Sequence, residues 1–253
     1  MRMAAVLFAV VALASAPAAP MAAADLDSLF REGTAAYREG RFRDAVLCFE
    51  GIRSSGVENG PLLYDLGTAY FKVDDLGRSM ANLHRALRYM PRDPDLRANL
   101  EYVESRTLDR SMGDSRFPLL RLLDDAAGRL TWREWLLFAE IVYGLFVAAL
   151  ALRLLRPRIR KRLATPTQVL GTLLPLLLLL LARSYHDQEW VRRGAVVPGE
   201  IAARSGPGER FTEEFLLHPG TVVRMNRDAE GWVLVEVTPD LRGWVPRNSL
   251  EEF

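Results

Sequence analysis

Apolar residues along the chain fall into three patterns, and each predicts a different kind of element. Over residues 25–110 they recur at helical spacing between charged positions, which predicts a series of amphipathic helices. Two apolar runs follow, at 136–152 and 165–182, and each is long enough to predict a helix that crosses a membrane. From about residue 191 the pattern turns to short alternating stretches at 195–197, 221–225 and 232–237, which predict β-strands. Turns between them are signalled by Pro219-Gly220, Glu230-Gly231 and Arg242-Gly243.

Residues 1–24 carry a fourth pattern: Arg2, an apolar stretch over 4–14, then small residues ending Ala22-Ala23-Ala24 before Asp25. This reads as a secretory signal peptide cleaved after Ala24, its apolar part being too short to span a bilayer. No cysteine follows the cleavage point, which excludes a lipid-modified N-terminus.

The first membrane helix, placed at 132–155, begins with Trp132 and Trp135 where an interfacial aromatic belt lies. The second, at 165–183, has an apolar stretch of ~27 Å at about 1.5 Å per residue, barely a full crossing. Its Pro175 removes one backbone donor, which membrane helices tolerate, and a re-entrant loop is the alternative. The turn at 156–164 and its flank carry Arg153, Arg156, Arg158, Arg160, Lys161 and Arg162 with no acid. By the positive-inside rule that turn belongs in the cytoplasm, so both flanking regions lie outside. The signal peptide independently demands the same orientation. Glu140, about one turn inside the first span, is expected to face Arg183 or a partner helix, since a carboxylate in lipid is costly.

The segment 25–110 repeats itself every 34 residues: Gly33 with Gly67, Phe42 with Leu76, Ala45 with Ser79, Phe49 with Leu83, Ile52 with Ala86. That period and that order of small and bulky residues resemble tetratricopeptide repeats, helix pairs that stack into a solenoid. Asp74 stands where the first unit has Gly40 in its turn. After Asp93-Pro94, Asp95 is expected to cap a further helix carrying Leu96, Leu100 and Val103 on one face, which would close the second repeat. Two repeats and a cap fall short of the three units such solenoids usually need, and residues 117–127 either add apolar cover or lie on the membrane surface. The resemblance implies a concave face lined by the first helix of each unit: Phe30, Thr34, Tyr37 and Arg38, then Tyr64, Thr68, Phe71 and Lys72. Apolar rings beside hydroxyls and a basic edge suit a peptide with hydrophobic anchors.

The strand-rich residues 191–253, with their Gly231-Trp232 and Gly243-Trp244 pairs, resemble the bacterial SH3-like barrels. A core or structural role for both tryptophans is favoured over exposure as a ligand platform.

Composition narrows the function. With 33 basic against 32 acidic residues the net charge is +1, so no overall field draws nucleic acid. Only Lys72 and Lys161 are lysines, and the arginine excess reads as codon bias rather than phosphate recognition. The lone Cys48 rules out an internal disulfide and a cysteine metal cluster, and the three histidines, His84, His186 and His218, sit in different segments with no second ligand at metal-binding spacing. No nucleophile motif or phosphate loop is present, and the acid pairs Asp124-Asp125 and Glu213-Glu214 read as solvated surface. No catalytic residue, cofactor, metal or small-molecule ligand is therefore expected.

The order of parts resembles the BatE-like family of aerotolerance-type operons, and it rests on the signal segment, two repeats, the Asn99-Leu100 pair after them, the tryptophan-flanked hairpin and the terminal SH3-like module. That resemblance implies a multidomain inner-membrane protein with an all-α repeat domain and a small all-β barrel on the periplasmic side. It also implies a non-catalytic scaffold working with von Willebrand factor A-domain membrane proteins and a MoxR-type ATPase. A barrel that binds cell-wall peptide or glycan is the competing reading, and a hydrolase a third.

Overall fold

The computed structural model describes residues 23–111, 128, 130–186, 190–197 and 199–253. The expected signal segment, apart from Ala23 and Ala24, and the stretch 117–127 lie outside the described residues. The chain divides into two units, Met1–Val57 and Glu58–Phe253.

In the first unit α1 (Ala23–Arg38) and α2 (Phe42–Ser54) form an antiparallel pair. They cross closely because Gly33 has no side chain: a Cβ there would stand 2.7 Å from Phe49 Cε1 and 3.0 Å from Cys48 Cβ. The turn between them passes through Gly40 at φ +80°, the left-handed region that glycine enters without steric cost.

The second unit begins with α3 (Gly60–Lys72) and α4 (Leu76–Tyr89), which repeat that arrangement 34 residues later. A Cβ on Gly67 would lie 2.8 Å from Leu83 Cγ, so Gly67 and Leu83 take the parts of Gly33 and Phe49. Asp74, in place of Gly40, keeps the left-handed turn at φ 64°, a conformation aspartate tolerates better than most residues. Helix α5 (Pro94–Glu104) then lays Leu96, Leu100 and Val103 into a core with Leu63, Met80 and Leu83. Each such burial removes about 1.5–3 kcal/mol of apolar exposure from water. The cap of α5 is Asp93 rather than the expected Asp95: its carboxylate accepts from the amides of Asp95 at 3.0 Å and Leu96 at 2.9 Å. Pro94 fits the first helical position because it has no amide to leave unpaired and its φ is preset, which moves the boundary two residues back.

Two helices long and apolar enough to span a membrane follow, α6 (Trp132–Leu155) and α7 (Ala164–Tyr185). At 24 and 22 residues they reach about 36 and 33 Å, so the second is longer than its apolar stretch suggests. A capping box joins Thr131 and Glu134 at the start of α6, Gly171 admits the ring of Phe146 between the helices, and Trp132 meets Tyr185 edge-on at 5.6 Å. Most bulky apolar side chains of the hairpin point outward. The basic turn, with Arg158, Arg160, Lys161 and Arg162 exposed, is at its other end. Glu140 is exposed on the hairpin's outside.

Seven strands complete the unit: β1 (Arg193–Val196), β2 (Ile201–Arg204), β3 (Glu213–Leu217), β4 (Val222–Ala229), β5 (Trp232–Thr238), β6 (Leu241–Pro246) and β7 (Leu250–Glu252). They form one antiparallel sheet in the order β3-β2-β6-β5-β4-β1-β7. Its inner face gathers Val196, Ala203, Leu217, Val223, Met225, Val233, Val235, Val245 and Leu250. Pro219-Gly220 and Glu230-Gly231 make turns as expected, with Glu230 and Gly231 at φ 51° and 82°. Arg242-Gly243 does not: Gly243 lies within β6, where a Cβ would meet that of Ala203 at 2.8 Å. Here the glycine serves close strand packing, not a turn.

The sheet is not a separate body from the helices of this unit. Ala195 joins the α3–α5 core, and a Cβ on Gly77 of α4 would fall 2.1 Å from the Val196 carbonyl oxygen. His84 stacks on Phe253 with centroids 4.6 Å apart and planes 7° off parallel, and Arg85 donates to Glu251 at 2.9 Å and to the carbonyl of Glu252.

Candidate interaction surfaces

The expected groove residues fall into two sets, one in each unit. On α1, Phe30 packs on Phe49 with centroids 5.6 Å apart and Tyr37 sits edge-on to Phe42 at 5.2 Å. Thr34 donates to the Phe30 carbonyl, and Arg38 is exposed. These rings brace the helix pair with one side and leave the other partly open.

On α3, Tyr64, Thr68 and Phe71 are half-buried and Lys72 is exposed. Helix α5 supplies their neighbours: Asn99 Nδ2 donates to the Tyr64 hydroxyl at 2.6 Å, and Phe71 meets Tyr102 edge-on at 5.4 Å. Tyr102 is itself exposed, and Arg106 donates to its hydroxyl at 2.7 Å while lying over its ring. Asn99, Tyr102 and Arg106 therefore extend this face, although the sequence reading did not single them out as site residues. Their signal was present as a polar stripe spaced three and four apart beside Leu96, Leu100 and Val103.

The two Gly-Trp tryptophans lie on the face of the sheet away from its core. Val233, Val235 and Val245 point into the sheet's core, so strand alternation turns Trp232 and Trp244 to the opposite face, where both are half-buried. Leu234 lies across from Trp244 on β6, and Arg204 lies across from it on β2, which gives an outer face of aromatic and aliphatic groups with a cation at its edge.

A fourth surface had no sequence signal. A cavity of about 850 Å³ lies where α4, the open end of the hairpin and the sheet meet. Among the described residues its walls include Arg85, Arg88, Arg133, Arg183, Arg192 and Arg193 and the acids Glu58 and Glu252; Arg85 is paired with Glu251 at 2.9 Å and Arg192 with Asp228 at 2.7 Å. Glu252 is engaged by Arg192 at 2.7 Å and by Arg247, and hydrogen bonding from Arg192, outweighing burial, holds its carboxyl below the usual range. Arg85 Nη1 and His84 Nε2 are buried with no hydrogen-bond partner.

Other reactive side chains have structural neighbours. Asp109 accepts from the His218 amide at 3.0 Å and from Thr221 Oγ1 at 2.5 Å, and its other oxygen lies 2.9 Å from His218 Nδ1. Burial works to raise this carboxyl, but the hydrogen bonds from Thr221 and His218 prevail and lower it. The trio pins the β3–β4 turn to the segment after α5. Cys48 is buried, and burial pushes its thiol up, away from the reactive thiolate. Glu213 and Glu214 are consecutive and exposed in β3, beside a register shift against β2, whereas Asp124 and Asp125 lie outside the described residues. Among the described residues no three of His, Cys, Asp and Glu gather as a metal would require. No protein-family model matches the chain, and no curated protein matches it at a significant level.

Proposed function

We propose that this chain is a non-catalytic, membrane-anchored scaffold of the BatE-like kind, a multi-pass protein of the bacterial inner membrane. In this reading α1–α5 are two tetratricopeptide units with a capping helix, the sheet is an SH3-like module, and both lie on the periplasmic side of a hairpin anchor. Partners are membrane proteins with von Willebrand factor A domains, working with a MoxR-type ATPase. The observation that carries it is Glu140, exposed about 12 Å along α6 from Trp132 on a helix long and apolar enough to cross a bilayer. A carboxylate at that depth is costly against lipid and is relieved by a polar or basic group on a neighbouring membrane helix. Exposed groups on the water-soluble side, Arg38 on α1 and Lys72 with Tyr102 on α3 and α5, supply further contact, and linked weak contacts add avidity.

The test is affinity capture of the full chain from detergent extracts of its own cells, with bound proteins identified by mass spectrometry. Glu140→Leu and Lys72→Glu, both at exposed positions, are expected each to reduce capture of a membrane partner at least several-fold without lowering the thermal midpoint. Unchanged capture by both variants would contradict the scaffold reading.

The outward Trp232 and Trp244 favour a second reading, in which the sheet grips cell-wall peptide or glycan through its aromatic face. Cosedimentation of the full chain with purified cell wall, lost on Trp244→Ala, would support it. Equal sedimentation of parent and variant would count against it.

A further inference from the structure

We propose that the outward face of α6 pairs with the same face of a second copy of this chain, the Glu140 carboxylate of each copy accepting a hydrogen bond from the Tyr143 hydroxyl of the other. The proposal rests on the membrane reading above and names the neighbouring helix that Glu140 requires there.

Two polar groups on a lipid-facing surface are the first reason. Helix α6 is covered on the side of Trp135, Ala139 and Phe146, where Phe146 meets Gly171 of α7. Glu140, Tyr143, Gly144 and Val147 recur at helical spacing on the other side, and all four are exposed. Neither the Glu140 carboxylate nor the Tyr143 hydroxyl is hydrogen-bonded or ion-paired to any described residue. Left so in hydrocarbon, both groups are costly. One is an acceptor and the other a donor, so the face satisfies itself once it meets its own copy.

Geometry is the second. Both copies enter the membrane in the same orientation, so their α6 helices run parallel, and a two-fold axis along the membrane normal makes every contact between them reciprocal. Glu140 and Tyr143 lie about 4.5 Å apart along the helix. Side chains lean toward the helix N-terminus, which carries the Tyr143 hydroxyl back toward the depth of Glu140. Gly144 lets the backbones come close: a Cβ there would meet nothing within 4 Å, so it leaves a space that the chain's described residues do not use, unlike Gly171. Small residues at such a crossing bring membrane helices near enough for hydrogen bonds between them.

The experiment uses the full chain in a mild detergent, with the protein mass per micelle followed by sedimentation equilibrium over a range of protein-to-detergent ratios. The parent is expected to be dimeric at high ratios and to dissociate as detergent is added. Tyr143→Phe, which removes only the hydroxyl, and Glu140→Leu are each expected to raise the dissociation constant at least tenfold with unchanged far-ultraviolet circular dichroism. Glu140→Gln, which keeps an acceptor, and Leu179→Ala, at an exposed position of α7, are expected to associate like the parent. A monomeric parent, or undiminished association of Tyr143→Phe or of Glu140→Leu, would overturn the proposal. A monomeric parent that still captures another membrane protein through Glu140 would overturn the self-pairing and leave the scaffold reading standing. Release of the parent from membranes by alkaline carbonate would instead defeat the anchor reading, and this interface with it.

Discussion

His84 is held neutral by its surroundings. Its Nε2 is enclosed without a partner, its ring lies flat on Phe253, and burial, helped by the charge of Arg193, brings its ionisation down from 6.5 to about 4. Beside it Arg85 pairs with Glu251 at 2.9 Å. Between those two pH values the unfolded chain binds a proton that the folded chain refuses. The contribution of His84 to stability is thus complete above about pH 6.5 and is lost as pH falls toward 4, in all about 3 kcal/mol at most. The thermal midpoint is expected to drop from pH 7 to pH 5. In His84→Phe, which keeps a ring over Phe253, that drop is expected to flatten, as differential scanning fluorimetry at several pH values would read. An unchanged slope would show that His84 does not carry it. Asp109 acts in a separate window: its lowered carboxyl supports the fold above the usual carboxylate range and fails only as pH falls through its own, lower value. No metal-ligand neighbour of His84 or His218 is legible in the sequence, and their partners, Phe253 and Asp109, come from distant parts of the chain that no local spacing connects.

Among the elements, α4 has the most demanding role because it packs against α3 and α5 on one side and the sheet on another. Gly77 is the point of closest approach, with the Val196 carbonyl where a Cβ would be. Gly→Ala inside a helix normally stabilises by about 1 kcal/mol. Here the obstacle is backbone and cannot rotate away, so overpacking of about 1–3 kcal/mol should outweigh that gain. Gly77→Ala is expected to lower stability in chemical denaturation, and a rise in midpoint would refute the packing of β1 on α4. The helices themselves were legible, since the 34-residue spacing of Gly33 and Gly67 and of Phe49 and Leu83 reports side-chain size at a crossing, which local geometry dictates. Two local readings failed for local reasons. Asp95 gave way to Asp93 as cap because Pro94 starts the helix, and Gly243 was read as a turn residue when the space it leaves is used by Ala203.

At the scale of the whole molecule, the hairpin gathers its surroundings at one end. Within the unit Glu58–Phe253, Arg92 pairs with Glu134 at the start of α6, and the arginine-walled cavity is lined from α4, α6, α7 and the sheet. The basic turn is left alone at the other end. The two long apolar helices and the charge asymmetry were legible in the sequence, because hydropathy and charge are local. The sequence could not reveal that the sheet packs on α4 or that six arginines share a cavity, because both depend on contacts between segments far apart in the chain. The central claim is that the soluble parts share one side of a membrane and the basic turn the other. It is tested most directly by fusing alkaline phosphatase, and separately a cytoplasmically folding fluorescent protein, after Phe253. An active phosphatase and a dark fluorescent protein are expected. An inactive phosphatase with a bright fluorescent protein in the membrane fraction would contradict the claim.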